Sequence, residues 1–184
     1  MAYTIIIDAG HGGSFDGGAV YNGRFEKDDN LSMALAVGSI LQEYGYNVLY
    51  TRTTDVYETP YQKATEANRK GADIFLSIHR NSSVSPNQYN GVESLVYSNQ
   101  GLPALLAKNI NKQLQRVGYR NLGVQERPNL IVLNSTYMPA VLVEVGFINS
   151  DIDNYLFDNK FIETAYAIAD GVSMTLYPKN YPNS

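Results

Sequence analysis

Short apolar runs that stop abruptly at polar residues constrain this chain most. Thr4-Ile5-Ile6-Ile7 ends at Asp8 and a glycine-rich stretch, Ile74-Phe75-Leu76-Ser77-Ile78 delivers His79, and Ala140-Val141-Leu142-Val143-Glu144-Val145 carries one acid inside it. Runs of this kind, bounded by turn residues, read as strands buried on both faces. Asn47 to Thr51, Val92 to Tyr97 and Leu130 to Leu133 read as further strands. Helical spacing fills the intervals: Asp28 to Tyr44, stopped by Gly45; a polar segment from Thr59 to Lys70, stopped by Gly71; and Leu102 to Val117, stopped by Gly118. Phe161 to Leu176 reads as a closing helix, whereas Ala9 to Arg24 and the segment through Arg127-Pro128 read as loops. Strands alternating with helices predict an α/β fold of three layers, a twisted, mixed but mainly parallel sheet with helices on both faces.

The 184 residues fit one domain over residues 1–177, with a linker-like or frayed tail over 178–184 that holds two prolines. A formal net charge of -4 offers no basic surface for a phosphate backbone, so nucleic acid is not the expected partner. With no cysteine, disulfides, thiolate metal sites and a cysteine nucleophile are excluded, and any metal falls to His, Asp or Glu. No apolar run approaches the roughly 20 residues that span a bilayer, and Met1-Ala2-Tyr3-Thr4 lacks the pattern of a secretion signal. The reading is therefore a soluble chain without membrane insertion or signal peptide. Nothing in the sequence fixes an oligomeric state.

In open α/β sheets, ligands collect at the carboxyl ends of strands. His11 follows the first strand, His79 ends the third, and Glu144 stands near the end of the run from Ala140; His11 and His79 are the chain's two histidines. Two imidazoles and one carboxylate make a catalytic zinc set with a fourth position open for water. Glu26, at the start of the first helix after the flexible loop, is the best carboxylate, with Asp8, Asp16 and Asp28 as competitors by spacing. Other readings stand beside these. A strand-end histidine is often a satisfied polar residue, Glu26 alone is a carboxylate suited to a helix N-terminus, and Glu144 is also readable as a buried structural acid paired with Arg52 or Arg127. The loop Gly10 to Gly18 lacks the Walker lysine and the dinucleotide pattern.

Four motifs bring these residues into one frame: Asp8-Ala9-Gly10-His11-Gly12-Gly13, Glu26-Lys27-Asp28-Asp29-Asn30-Leu31, Ser77-Ile78-His79-Arg80-Asn81 and Pro139 to Phe147. In that order they resemble the zinc N-acetylmuramoyl-L-alanine amidases of the amidase 3 family, from Thr4 to Leu176. The resemblance implies one zinc ion per chain held by His11, Glu26 and His79, with Glu144 as catalytic acid and base. It implies a peptidoglycan substrate, cleaved between the lactyl group of N-acetylmuramic acid and the L-alanine of the stem peptide. The place of action implied is the bacterial cell wall, and a separate wall-binding module would complete such an enzyme. Arg127, Asn81 and Arg80 are the candidate substrate contacts. Arg80 stands where the family usually has a small residue, Lys63 replaces a common arginine, and Pro60 replaces an apolar residue. The rival readings are another zinc peptidase, since the ligand set does not choose the bond, and a catalytically dead peptidoglycan-binding domain.

Overall fold

The apolar runs become the middle of a six-stranded sheet. In the computed structural model, which describes residues 2–177, the chain runs β1 (Thr4–Ala9), β2 (Val20–Tyr21), β3 (Arg24–Phe25), α1 (Glu26–Glu43), β4 (Asn47–Tyr50), α2 (Pro60–Lys70) and β5 (Ile74–Asn81). It continues through β6 (Val92–Val96), α3 (Gly101–Val117), β7 (Asn121–Glu126), α4 (Ile131–Asn134), β8 (Ala140–Phe147), α5 (Asp151–Asn159) and α6 (Phe161–Leu176). The sheet order is β4-β1-β5-β8-β6-β7, and β2 pairs with β3 in a separate hairpin. β4, β1, β5 and β8 are parallel neighbours, β6 is antiparallel to β8, and β7 is parallel to β6. The sheet is mixed and mainly parallel, as expected.

Side chains alternate across a pleated strand, so each central strand feeds two cores. Ile5, Ile7, Ile74, Leu76, Ile78, Val141, Val143 and Val145 pack with residues of α1, α3 and α6 in the larger core. Ile6, Phe75, Ala140 and Leu142 face the smaller core with Ala67 of α2 and Val132 and Leu133 of α4. Burial on both faces explains why β1, β5 and β8 read as continuous apolar runs. It also sets the address of the polar residues: by the same alternation His79 and Glu144 lie on the α2–α4 side, and Arg80 on the other.

Five elements differ from the expectation. Leu130 to Leu133 is not a strand: the Leu130 carbonyl accepts the amides of Leu133 (2.9 Å) and Asn134 (3.0 Å), forming the single turn α4. A four-residue apolar run fits either period, and here it caps the smaller core. The edge position belongs to β7, whose residues are half-exposed or exposed and whose polar sequence carried no apolar run. The hairpin of β2 and β3 and the helix α5 were likewise not anticipated. Ser150 caps α5, accepting the Asp153 amide at 3.3 Å. The tail expected over residues 178–184 lies outside the described residues.

Candidate active site

Four pieces of chain far apart in sequence converge past the carboxyl ends of β1 and β5. β1 ends at Ala9, and the loop turns at once through His11, whose φ of 60° is a left-handed conformation. That turn swings its imidazole back over the strand ends. Glu26 is the first residue of α1, and its backbone amide is held by the Ala19 carbonyl at 2.9 Å. β5 supplies His79, which sits opposite Glu144 of β8 in the ladder.

The Glu26 carboxylate lies between the imidazoles. Its Oε1 is 2.9 Å from His79 Nδ1 and 3.2 Å from His11 Nε2, while Oε2 accepts the Ala19 amide at 2.8 Å. Oε1 also receives the Arg80 amide at 3.2 Å and the Asn30 side chain at 3.3 Å. Burial works against the ionised form of Glu26, but hydrogen bonds and charge from His11 and His79 more than offset it. Its carboxyl is held far below the usual range. His11 moves the other way: burial lowers its basicity, and Glu26 and Asp16 raise it further than burial lowers it.

These groups fit a metal ion. One ligand atom from each of His11, Glu26 and His79 lies within 4.8 Å of the others, and tetrahedral zinc with bonds of roughly 2.0–2.1 Å draws such atoms to about 3.3 Å apart. His11 Nδ1 lies 2.6 Å from Asp16 Oδ1, which makes Nδ1 the donor and leaves Nε2 free to ligate. Two glycines shape the cradle. A Cβ at Gly10 would overlap the His79 ring, and one at Gly18 would come within 2.6 Å of both Glu26 Oε2 and His11 Cδ2. Asp16 entered the sequence reading only as a competing ligand. Its place beside a histidine five residues earlier was the signal for an orienting partner.

Beneath the cradle, Asp8 is buried and fully engaged. Its oxygens accept Thr51 Oγ1 (2.8 Å) and Ser77 Oγ (2.6 Å), and Lys63 Nζ lies 2.8 Å from Oδ1 and 2.8 Å from the Ala9 carbonyl. Burial opposes the charge of Asp8, but Lys63 prevails and its carboxyl is lowered. Lys63 therefore ties the polar helix to the end of β1. Pro60, on the same helix, opens α2 at a position that has no amide to satisfy.

Glu144 differs from Asp8, Asp16 and Glu26. Its Oε2 is shut away from solvent without a hydrogen-bond partner among the described residues. Burial pushes its carboxyl up to about 7, with His79 opposing the shift and Glu26 and Glu93 adding to it. The expected arginine partners are elsewhere. Arg52 donates to the carbonyls of Ala9, Gly10, Lys27 and Thr54, and Arg127 to that of Glu126.

The candidate substrate contacts fare differently. Arg80 is corrected: it is buried, and Nη1 bonds Asp29 at 2.6 Å, Nη2 bonds Asn154 at 2.7 Å, and the guanidinium lies 4.2 Å from the Phe157 ring centre. It follows His79 on a strand, so it points to the opposite face and offers nothing to a ligand in the cleft. Asn81 donates to Glu93 at 2.7 Å, and Glu93 stands across from Glu144. Arg127 leaves β7 at the end of the sheet away from the imidazoles, because β6 and β7 run against β8.

A cleft of about 290 Å³ opens beside the imidazoles, walled by His11, His79, Pro60, Lys63, Leu142 and the stretch from Leu130 to Val132. The sequence profile of Amidase_3, N-acetylmuramoyl-L-alanine amidase, matches residues 5–174. The chain belongs to this amidase family. Among its members the chain is 38% identical to the sporulation-specific N-acetylmuramoyl-L-alanine amidase of Bacillus subtilis, over 98% of this chain and 71% of that one. Among solved structures it resembles the catalytic domain of the amidase CwlV from Bacillus (Paenibacillus) polymyxa, with a TM-score of 0.85, 36% identity, and 95% and 98% of the two chains covered. An N-acetylmuramoyl-L-alanine amidase from Clostridium difficile 630 superposes with a TM-score of 0.87 at 32% identity, over 95% and 97% of the chains. The amidase fold thus accounts for all six strands of the sheet and for both helical layers.

Proposed function

We propose that this chain hydrolyses peptidoglycan at the amide between the lactyl group of N-acetylmuramic acid and the L-alanine of the stem peptide. Family membership supports the bond, and one arrangement carries the chemistry: His11, Glu26 and His79 converge within 4.8 Å, with the partnerless carboxylate of Glu144 beside His79 in the ladder. His11 through Nε2, Glu26 through Oε1 and His79 through Nδ1 are the atoms that would hold zinc. Bound there, zinc supplies Lewis-acid polarisation of the scissile carbonyl and makes water more acidic.

Glu144 is the proton carrier. A carboxylate with an oxygen that nothing else occupies accepts the proton of the attacking water and delivers it to the departing alanine nitrogen. That return is required because an unprotonated amine is a very poor leaving group. Asp16 holds the His11 ring in its ligating tautomer, and Asn81 holds Glu93 across from Glu144. The place of action is the bacterial cell wall.

Digestion of purified peptidoglycan followed by mass spectrometry tests the reading. The expected products are intact glycan chains and peptides with a free N-terminal alanine. Cleavage inside the stem peptide instead would make this a peptidase. Zinc near one per chain is expected in the same preparation, and zinc near zero with no cleavage would favour a binding domain.

A further inference from the structure

Among the described residues, two carboxylate oxygens are sheltered from solvent and lack a hydrogen-bond partner. Glu144 Oε2 is one, and the proposed mechanism uses it. The other is Oε2 of Glu58, in the segment between β4 and α2, and nothing in the mechanism uses it. Buried polar atoms are almost always paired, so an exception in a cleft calls for an explanation.

Glu58 belongs to the wall of the cleft that contains His11 and His79. Its position is fixed by its neighbours. Thr59 and Gln62 form a reciprocal cap on α2, with Thr59 N to Gln62 Oε1 at 2.8 Å and Gln62 N to Thr59 Oγ1 at 3.2 Å, and Pro60 follows in the first turn. The cation of this wall is not available to it: Lys63 Nζ is held by Asp8 and the Ala9 carbonyl. The other acids of the wall are satisfied, Asp8 by Thr51, Ser77 and Lys63, and Asp16 by His11 and the Gly18 amide. Beyond these and the two imidazoles, the wall is Asn129 and the apolar side chains of Pro60, Leu130, Ile131, Val132 and Leu142. An unpaired acid in a wall whose other acids are already satisfied repels an anionic group and attracts an N–H donor, above all a cation. Burial, Glu66 and Asp8 raise the carboxyl of Glu58, and Lys63 and Lys70 oppose them without cancelling the rise.

We infer that Glu58 is a specificity-determining residue that receives a positively charged or N–H-donating group of the stem peptide as the peptide lies in this cleft. The inference rests on the amidase reading and adds the chemistry of the substrate. Two groups of a stem peptide supply that chemistry: the side-chain ammonium of a diamino acid at the third position, and a carboxamide replacing the free α-carboxylate at the second.

The experiment compares the zinc-loaded protein with Glu58→Gln and Glu58→Ala on four synthetic muramoyl tripeptides. These carry a free or an acetylated third-residue amine, and a carboxamide or a carboxylate at the second residue. Wild type should favour the donor-bearing substrate by about 10- to 100-fold in kcat/KM, mostly through KM, as expected for a hydrogen bond to a charged group. Glu58→Ala should lose this preference with kcat kept and melting temperature equal or higher, since an unpaired acid has been removed. If the ammonium is the partner, Glu58→Gln loses it too; if the carboxamide is, Glu58→Gln keeps it, because an acceptor oxygen remains. Equal kcat/KM on all four substrates for wild type, or the same preference in Glu58→Ala, would overturn the inference. Calorimetric titration with the free tripeptides reads the same preference without catalysis. Normal release of N-terminal alanine with no role for Glu58 sinks this inference alone, whereas no release beside Glu58-dependent peptide binding sinks the amidase reading alone.

Discussion

Replacing Lys63 by Met tests how the cleft is held together. The side chains of Lys63 and Asp8 are 4% and 1% exposed and 2.8 Å apart. Removing the ammonium leaves Asp8 charged and buried, and breaking such a pair costs about 3–5 kcal/mol. Thr51 and Ser77 still donate to Asp8, which puts the expected loss at the lower end, about 3 kcal/mol. For a chain of this size that is a fall of about 6–12 °C in Tm. The pH dependence gives the sharper signature. In wild type the folded-state pKa of Asp8 lies below its ordinary value of 3.8, so its contribution is present above that value and is lost as pH falls through the lower folded one. Without Lys63, burial dominates and the folded pKa rises above the unfolded one. The variant's deficit should then be full at pH 7 and shrink as pH falls through that raised pKa. Urea unfolding followed by circular dichroism at pH 7, 5 and 4 measures both. A deficit under about 1 kcal/mol at pH 7, the scale of an exposed pair, or one that does not change with pH, would refute the reasoning.

Three further outcomes follow from the site. Glu144→Gln should stay folded and zinc-loaded while wall digestion falls by about 10²- to 10⁴-fold; a loss of stability first would return Glu144 to a structural role. Asp16→Ala frees the His11 ring from its 2.6 Å partner and should weaken zinc affinity by about 10- to 100-fold in a competition titration, with the fold unchanged by circular dichroism. Gly18→Ala puts a methyl 2.6 Å from Glu26 Oε2 at a position with φ of 66°, so zinc content should fall even though no ligand has changed.

What the sequence made legible follows physical lines. Strands buried on both faces, β1, β5 and β8, stand out as apolar runs, and the groups at their ends come with them: His11, His79 and Glu144. Glu26 lacked such a run to mark it and was reached by its place at a helix start and by the motif order. β7 was not legible, because an edge strand with half-exposed faces needs no apolar pattern. α4 was misread because four apolar residues do not distinguish one helical turn from a short strand. Arg80 was misplaced for a subtler reason. Being next to a ligand in sequence suggests the site, yet on a strand the next residue faces away from it. The role of Asp16 follows from its bond to His11, of which the sequence held a trace in their spacing, whereas Glu58 stands out only in three dimensions, through the absence of a bond.

The back of β5 shows how the strand that delivers His79 is held. Arg80 is locked to Asp29, Asn154 and Phe157, and Asp29 also holds Arg24 at 2.7 Å, which in turn clasps Asp158 at 2.7 Å. Six side chains, Arg80, Asp29, Asn154, Phe157, Arg24 and Asp158, thus share one network, so a change at one is felt by the others. Removing Arg80 alone would leave Asp29 paired with Arg24 and open a void in the larger core. The strand that delivers His79 is thus fastened from behind, and loosening this network would displace the imidazole without any residue of the cleft having changed.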